Sequence, residues 1–234
     1  MSFRLYFFLF LCLCAPPVLR AEQVTAYNHA DSVFEYAWKA IIDEAGIDAI
    51  YIDVPHEEQR KLFAEGKLIL TCCSIPEWRT RPEEEAVQLF TEPFFYVYDH
   101  LIYRSDKPIH AANPNDLTAY TVAIVKGYSF PDYQHFGEIL EAGSIHEAFQ
   151  MVVDGRADLT VANNQDFYLQ MRLYGYPLVL GDVHSENILR ARVHKSRADL
   201  LGRLNSAITQ LKANKQFSLL LAKRLRGTQN LEGK

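Results

Sequence analysis

The chain has 234 residues, four cysteines and a formal charge of −5, from 24 Lys plus Arg against 29 Asp plus Glu. That length suffices for one large domain or two lobes with cores of their own. A mildly acidic chain without a basic block argues against nucleic acid as a partner.

At the N-terminus, MSFR carries one positive charge, LYFFLFLCLC is apolar, and APPVLRA ends in small residues before Glu22. This order predicts a secretory signal peptide cut after Ala21, although Leu19 fits the −3 position poorly. A lipoprotein anchor is the rival, since Cys12 and Cys14 lie in the right region, but each follows a leucine rather than a small residue. An apolar run this short, broken by Pro16 and Pro17, does not suit a membrane span, and no later stretch is apolar over a sufficient length. The expected mature chain of 213 residues is exported and soluble. It loses Arg4 and Arg20, so its charge falls from −5 to −7. Only Cys72 and Cys73 remain, whereas an exported domain held by disulfides carries several spaced cysteines. Two readings stay open for the pair: two small packed residues, or a vicinal redox pair.

After the leader, strands and helices alternate. VTAY (24–27) predicts a strand. Ser32 and Glu35 have the spacing of a capping box, and Val33, Phe34, Ala37, Trp38, Ile41 and Ile42 recur at helical intervals up to Gly46. AIYIDV (49–54) predicts a strand, HEEQRKLFAEG a helix ended by Gly66, and LILTCC (68–73) another strand. A charged loop, WRTRPEEEA, leads to the long alternating run FFYVYDHLIY (94–103). KPIHAANPNDL is a polar linker to a second set. There TVAIV (121–125) predicts a strand, and Pro131 stands where a helix can begin. Ser144 and Glu147 open a helix that stops near Gly155, and DLTVA (158–162), NNQDFYLQMRLYG and PLVLGDV (177–183) predict strand, helix and strand. The tail gives two amphipathic helices. Such alternation predicts an α/β fold with largely parallel sheets, and two strand–helix sets around a polar crossover predict two lobes with a cleft.

Five stretches in order resemble family 3 of the periplasmic solute-binding proteins, whose best-known members bind polar amino acids for ABC importers. SIPEWR (74–79) resembles the family's hydroxyl–Ile–x–Glu–x–Arg segment, and LFTEPFF (89–95) its Phe–Ser/Thr–x–Pro–Tyr segment. NDLTAYTVAIVKGYS (115–129) is similar to the segment that opens the second lobe, and IHEAFQMVVDGRADLTVAN (145–163) to its helix–strand unit. The terminal helix pair also resembles the family's. The resemblance implies a two-lobed, type II periplasmic binding fold with two crossover strands, near His100–Lys107 and Asp182–Arg192, closing on a ligand like a hinge. Lobe 1 would be residues 22–104 plus 186–234, and lobe 2 residues 105–185.

The same resemblance implies the site. Thr71, Cys72 and Ser74, past the end of a lobe-1 strand, would face the ligand with short side chains. Arg79 matches the arginine that grips an α-carboxylate, a task suited to a planar guanidinium donating two parallel hydrogen bonds. Arg81 competes for the role, because more residues separate Arg79 from Phe90 than is usual in the family. Gly127 and Ser129 match the lobe-2 turn whose amides favour an anion. The family acid that holds an α-amine falls on Asn163, which can accept a hydrogen bond from an ammonium but supplies no counter-charge. Asp166 is the substitute, while Tyr27, Asn28 and His29 occupy the place of the usual aromatic hairpin.

Plainer roles stand beside these. Arg79 could pair with Glu83 or Glu84 on the surface, Asn163 could cap the following helix, and Ser129 could be a helix cap. No histidine or cysteine spacing suggests a metal, and nothing points to a cofactor. The implied function is capture of a small polar solute bearing a carboxylate, amino-acid-like, for an ABC permease, by a monomer that is not an enzyme. The alternatives are an orphan periplasmic sensor or accessory protein of the same fold and, behind it, a dehydratase-like enzyme using Asp166.

Overall fold

A computed structural model describes residues 23–28, 32–130 and 132–227. The expected leader, His29 and Pro131 lie outside these residues. The first set comprises β1 (Val24–Tyr27), α1 (Glu35–Glu44), β2 (Ala49–Ile52), α2 (His56–Ala64) and β3 (Leu70–Ser74). β1 lies between β2 and β3 and is parallel to both. The helical stripe on α1 and the residues before it is buried as the periodicity predicts, from Val33 and Phe34 through Ile42. Trp38 has no exposed surface and donates its indole N–H to the Tyr27 carbonyl at 2.9 Å, which anchors α1 to the end of β1.

A 3₁₀ turn at Pro76–Trp78, the short α3 (Pro82–Glu85) and β4 (Gln88–Phe90) lead to β5 (Phe95–Arg104). The second set has β6 (Val122–Val125), β7 (Ile139–Ala142), α4 (Ile145–Val153), β8 (Leu159–Asn163) and α5 (Asn164–Tyr174). β6 is parallel to both β7 and β8. β9 (Leu178–His194) then runs for 17 residues. It pairs antiparallel with β5 along residues 178–189 and with β3 from Arg190 to Val193. β5 and β9 therefore stitch the two parallel sets into one strand path, β2-β1-β3-β9-β5-β8-β6-β7, with β4 paired to β9. Within each set the strands are parallel as expected; the connection between sets is antiparallel. Helices α6 (Leu200–Ala213) and α7 (Gln216–Gly227) pack back on the first set, where Leu204, Ile208 and Leu221 join Trp38 and Leu70 in one core. The second set has separate clusters on its two sheet faces, one around Phe149 and Val152, the other around Leu117 and Val122.

Three sequence expectations change. Ser32 and Glu35 make no capping box: Ser32 Oγ accepts from the Phe34 amide and donates to Asp166, while Glu35 pairs with Lys39 and Arg224. The segment after β6 makes a 3₁₀ turn at Tyr133–His135 rather than a helix. Strands β4 and β7 were not read from the sequence, and β9 continues eleven residues beyond Val183 because it stays paired with β5 up to Leu189 and then pairs with β3 and β4. The second capping box is made: Ser144 Oγ accepts from the Glu147 amide, and the Glu147 carboxylate accepts from the Gly143 amide.

Candidate functional site

A cavity of about 90 Å³ lies between the two sets. The first set contributes Phe34, Cys73, Trp78 and Arg79; the second contributes Tyr128, Phe130, Asn163 and Asp166; Val97, Asp99 and Leu189 of the long strands form part of the wall. A larger chamber of about 290 Å³ shares Ser32, His56, Tyr128 and Asp166 with it and reaches Tyr27, Asn28 and Asp53.

Arg79 is the positive group of the cavity and is only 4% exposed. It follows the 3₁₀ turn that Pro76 begins, and its carbonyl is held by Gln88 Nε2 at 2.8 Å. The guanidinium donates to the Trp78 carbonyl at 3.0 Å and lies 3.1 Å from His56 Nε2, while its Nε has no partner. No carboxylate pairs with it among the described residues. Burial, followed by repulsion from Arg192 and Arg60, pushes its pKa well below the usual arginine value. A cation held this way is a strong anion receiver, because its desolvation is uncompensated.

Behind it, Glu84 bridges two further buried arginines. Arg192 Nη1 donates to Glu84 Oε1 at 2.7 Å, and Arg60 Nε to Oε2 at 2.8 Å. Burial raises the Glu84 carboxyl, but the two guanidiniums outweigh it and hold its pKa below the usual value. Arg192 also donates to Thr71 Oγ1 and stacks 4.3 Å over Phe63. Arg60 reaches across the cleft to the Gly127 carbonyl at 3.0 Å and Ser129 Oγ at 2.8 Å. Gly127 has φ +88°, and a Cβ there would lie 2.9 Å from the Glu57 amide nitrogen, so this close approach requires glycine. Arg81 lies outside the cavity on Glu57, at 2.7 and 3.0 Å, with both side chains about 40% exposed.

The opposite wall is acidic. Asp99 stands on β5 at the start of a register shift, facing Asn163 of β8. It accepts from Ser185 Oγ at 3.0 Å and Asn187 Nδ2 at 2.7 Å. Burial, with the Asp166 charge adding, pushes its pKa up to about 6. Asp166 accepts from the Val33 amide at 2.9 Å, Ser32 Oγ at 3.3 Å and Asn163 Nδ2 at 2.7 Å. Burial raises its pKa, and those hydrogen bonds offset part of the rise.

The expected site residues thus divide. Arg79, Ser129, Asn163 and Asp166 meet at the cavity. Asn163 caps α5 by accepting from the Asp166 amide at 2.8 Å. Thr71 is fully buried against Arg192, Ser74 is buried with its hydroxyl unpartnered, and Tyr27 lines the larger chamber. Gly127 turns its carbonyl to Arg60. Cys72 and Cys73 are joined to each other in a disulfide; Cys72 packs in the core and Cys73 borders the cavity. Sequence reasoning missed Asp99, Arg60 and Arg192. Asp99 had a signal: it shares the inward phase of Val97 and Leu101 in an otherwise alternating strand. Among the described residues, no group of His, Cys, Asp or Glu side chains could hold a metal ion, and no helix is long and apolar enough to cross a membrane.

No family model matches the chain, and no curated protein matches it by sequence. Solved structures do resemble it. A mutant of ArgBP from T. maritima shares 20% identity at a TM-score of 0.70, covering 87% of this chain and 95% of that one. AbpA from Streptococcus pneumoniae, an amino acid ABC transporter substrate-binding protein bound to L-arginine, shares 15% at a TM-score of 0.72 over 88% and 95%. A histidine kinase sensor domain with similarity to periplasmic binding proteins shares 16% at a TM-score of 0.69 over 88% and 97%. These likenesses define the fold: two α/β lobes joined by crossover strands around a cleft, as in periplasmic binding proteins.

Proposed function

We propose that this chain is an exported solute-binding protein that captures a small, amino-acid-like ligand by its carboxylate and hands it to an ABC-type importer. The carrying observation is Arg79, a buried guanidinium lining the inter-lobe cavity without a carboxylate partner among the described residues. A ligand carboxylate supplies that partner in bidentate geometry. Contacts from both lobes favour the closed state, which is how such a fold couples capture to shape. The likeness to AbpA and ArgBP supports an amino-acid-like ligand, and the leader-like N-terminus supports export.

Calorimetry on ligand-stripped protein against the standard L-amino acids and small organic acids tests the reading. At least one carboxylate ligand is expected to bind, to be recovered unchanged, and to lose its affinity in Arg79→Met. Silence across the set, or binding indifferent to Arg79→Met, contradicts it. The likeness to a kinase sensor domain favours a second reading, a periplasmic sensor. Association with permease and ATPase subunits supports delivery; intact ligand binding without such association supports the sensor.

A further inference from the structure

The disulfide between Cys72 and Cys73 presents its two sulfurs to different surroundings. Cys72 is 3% exposed and packs in the first core with Leu70 and Ala191. Cys73 is half-buried and borders the inter-lobe cavity. The ladder accounts for the difference. Cys72 stands opposite Ala191 and Ser74 opposite Arg190, so the register shifts between them and Cys73 has no partner on β9. An irregularity of this kind turns a side chain out of the regular pleat, often beside a functional site. Arg79 lines the same cavity from the same side, with the Trp78 carbonyl and His56 as its hydrogen-bond partners. The acids of the cavity, Asp99 and Asp166, belong to the other wall.

We propose that Cys73 is a thiol-exchange site, entered through the cavity, for a small thiol that carries a carboxylate. The incoming thiolate attacks Cys73 Sγ and forms a new S–S bond with it. The Cys72–Cys73 bond breaks, and its electron pair leaves on Cys72 Sγ, which takes a proton from water. The small thiol is oxidised to a mixed disulfide and Cys72 is reduced to a thiol, so no other oxidant or reductant enters the step. Access selects the sulfur, since the core closes off Cys72. The same burial keeps Cys72 protonated once released, which makes it a poor resolving thiol and lets the mixed disulfide on Cys73 persist. The guanidinium supplies the preference for a carboxylate. It raises the local concentration of an anionic thiol beside Cys73 and repels a cationic one. This chemistry goes beyond solute capture but draws on the same arginine.

The test exposes the purified full chain to mercaptoacetate, mercaptoethanol or mercaptoethylamine, quenches with acid, and follows the adduct by intact mass and fragment mapping. Each rate is divided by that of the same thiol with a small neutral disulfide, which removes differences in thiol reactivity. A single adduct on Cys73 is expected, formed about tenfold faster by mercaptoacetate than by mercaptoethylamine. In Arg79→Met that ratio is expected to fall to about one. Free thiols at both positions of the purified chain, an adduct on Cys72, or a disulfide that reacts only after unfolding in urea overturns the exchange site, while leaving solute capture by Arg79 intact. Equal normalised rates for the anionic and cationic thiols in the wild type overturn the carboxylate preference, and this comparison needs no variant. A preference kept in Arg79→Met, with a cooperative melt retained, overturns the part given to Arg79.

Discussion

Arg192 and Arg79 are both buried arginines, yet their surroundings differ in kind. Arg192 has Glu84, Thr71, Gln88 and the face of Phe63. Arg79 has a carbonyl and a histidine nitrogen, with its Nε unpartnered. Burial pushes the pKa of Arg192 down to about 10 against the charge and hydrogen bond of Glu84, whereas Arg79 has no hydrogen-bonded carboxylate to oppose its burial and the repulsion of Arg192 and Arg60. A buried charge with its counter-ion is part of the scaffold. One without it is placed to receive something.

The sharpest break of that contrast is Glu84→Gln, which leaves Arg60 and Arg192 buried without their carboxylate. The expected loss is about 3–5 kcal/mol, seen as a melting temperature lowered by roughly 6–20 °C. Next, Arg192→Met is expected to cost about 3 kcal/mol by stripping Glu84 of one partner. Arg79→Met should leave thermal stability unchanged or raise it by about 1 kcal/mol, because it removes an uncompensated buried charge. Equal destabilisation by the two methionine variants would erase the distinction.

Asp99 gives a smaller, pH-dependent effect. Its folded pKa of about 6 lies above the ordinary 3.8, so the folded state is penalised above pH 6 and relieved as pH falls toward the unfolded value. The stability of wild type relative to Asp99→Asn is expected to improve by about 1 kcal/mol between pH 7 and pH 5. Taking the difference cancels His184, whose lowered pKa acts in the opposite sense, while Asp166, which feels the Asp99 charge, adds to the effect in the same sense. Urea melts at the two pH values measure it. The smallest effect belongs to Arg81→Gln: its half-exposed pair with Glu57 is expected to be worth less than about 1 kcal/mol, with ligand affinity unchanged.

Much of the scaffold was legible because its signals are local. The stripe from Val33 to Ile42, the Ser144–Glu147 box and the apolar strands each declare their element within a few residues. β4 and the far half of β9 were not, since their partners lie about a hundred residues away in the chain. The site divides in the same way. Arg79 and Asp166 stand beside recognisable strand and helix ends. The Arg60–Gly127 contact depends on how two lobes meet, and no spacing in the sequence encodes it. Glu84 looked like one acid of a charged loop, yet it is almost fully buried between two arginines that come from distant segments. Asp99 was readable in principle: a carboxylate in the inward phase of a half-buried strand needs a reason.

The most direct measurement is a crystal structure of the chain with its tightest-binding amino acid. The account predicts the ligand carboxylate in bidentate contact with Arg79. A ligand seated elsewhere, with Arg79 still on the Trp78 carbonyl and His56 alone, would contradict it.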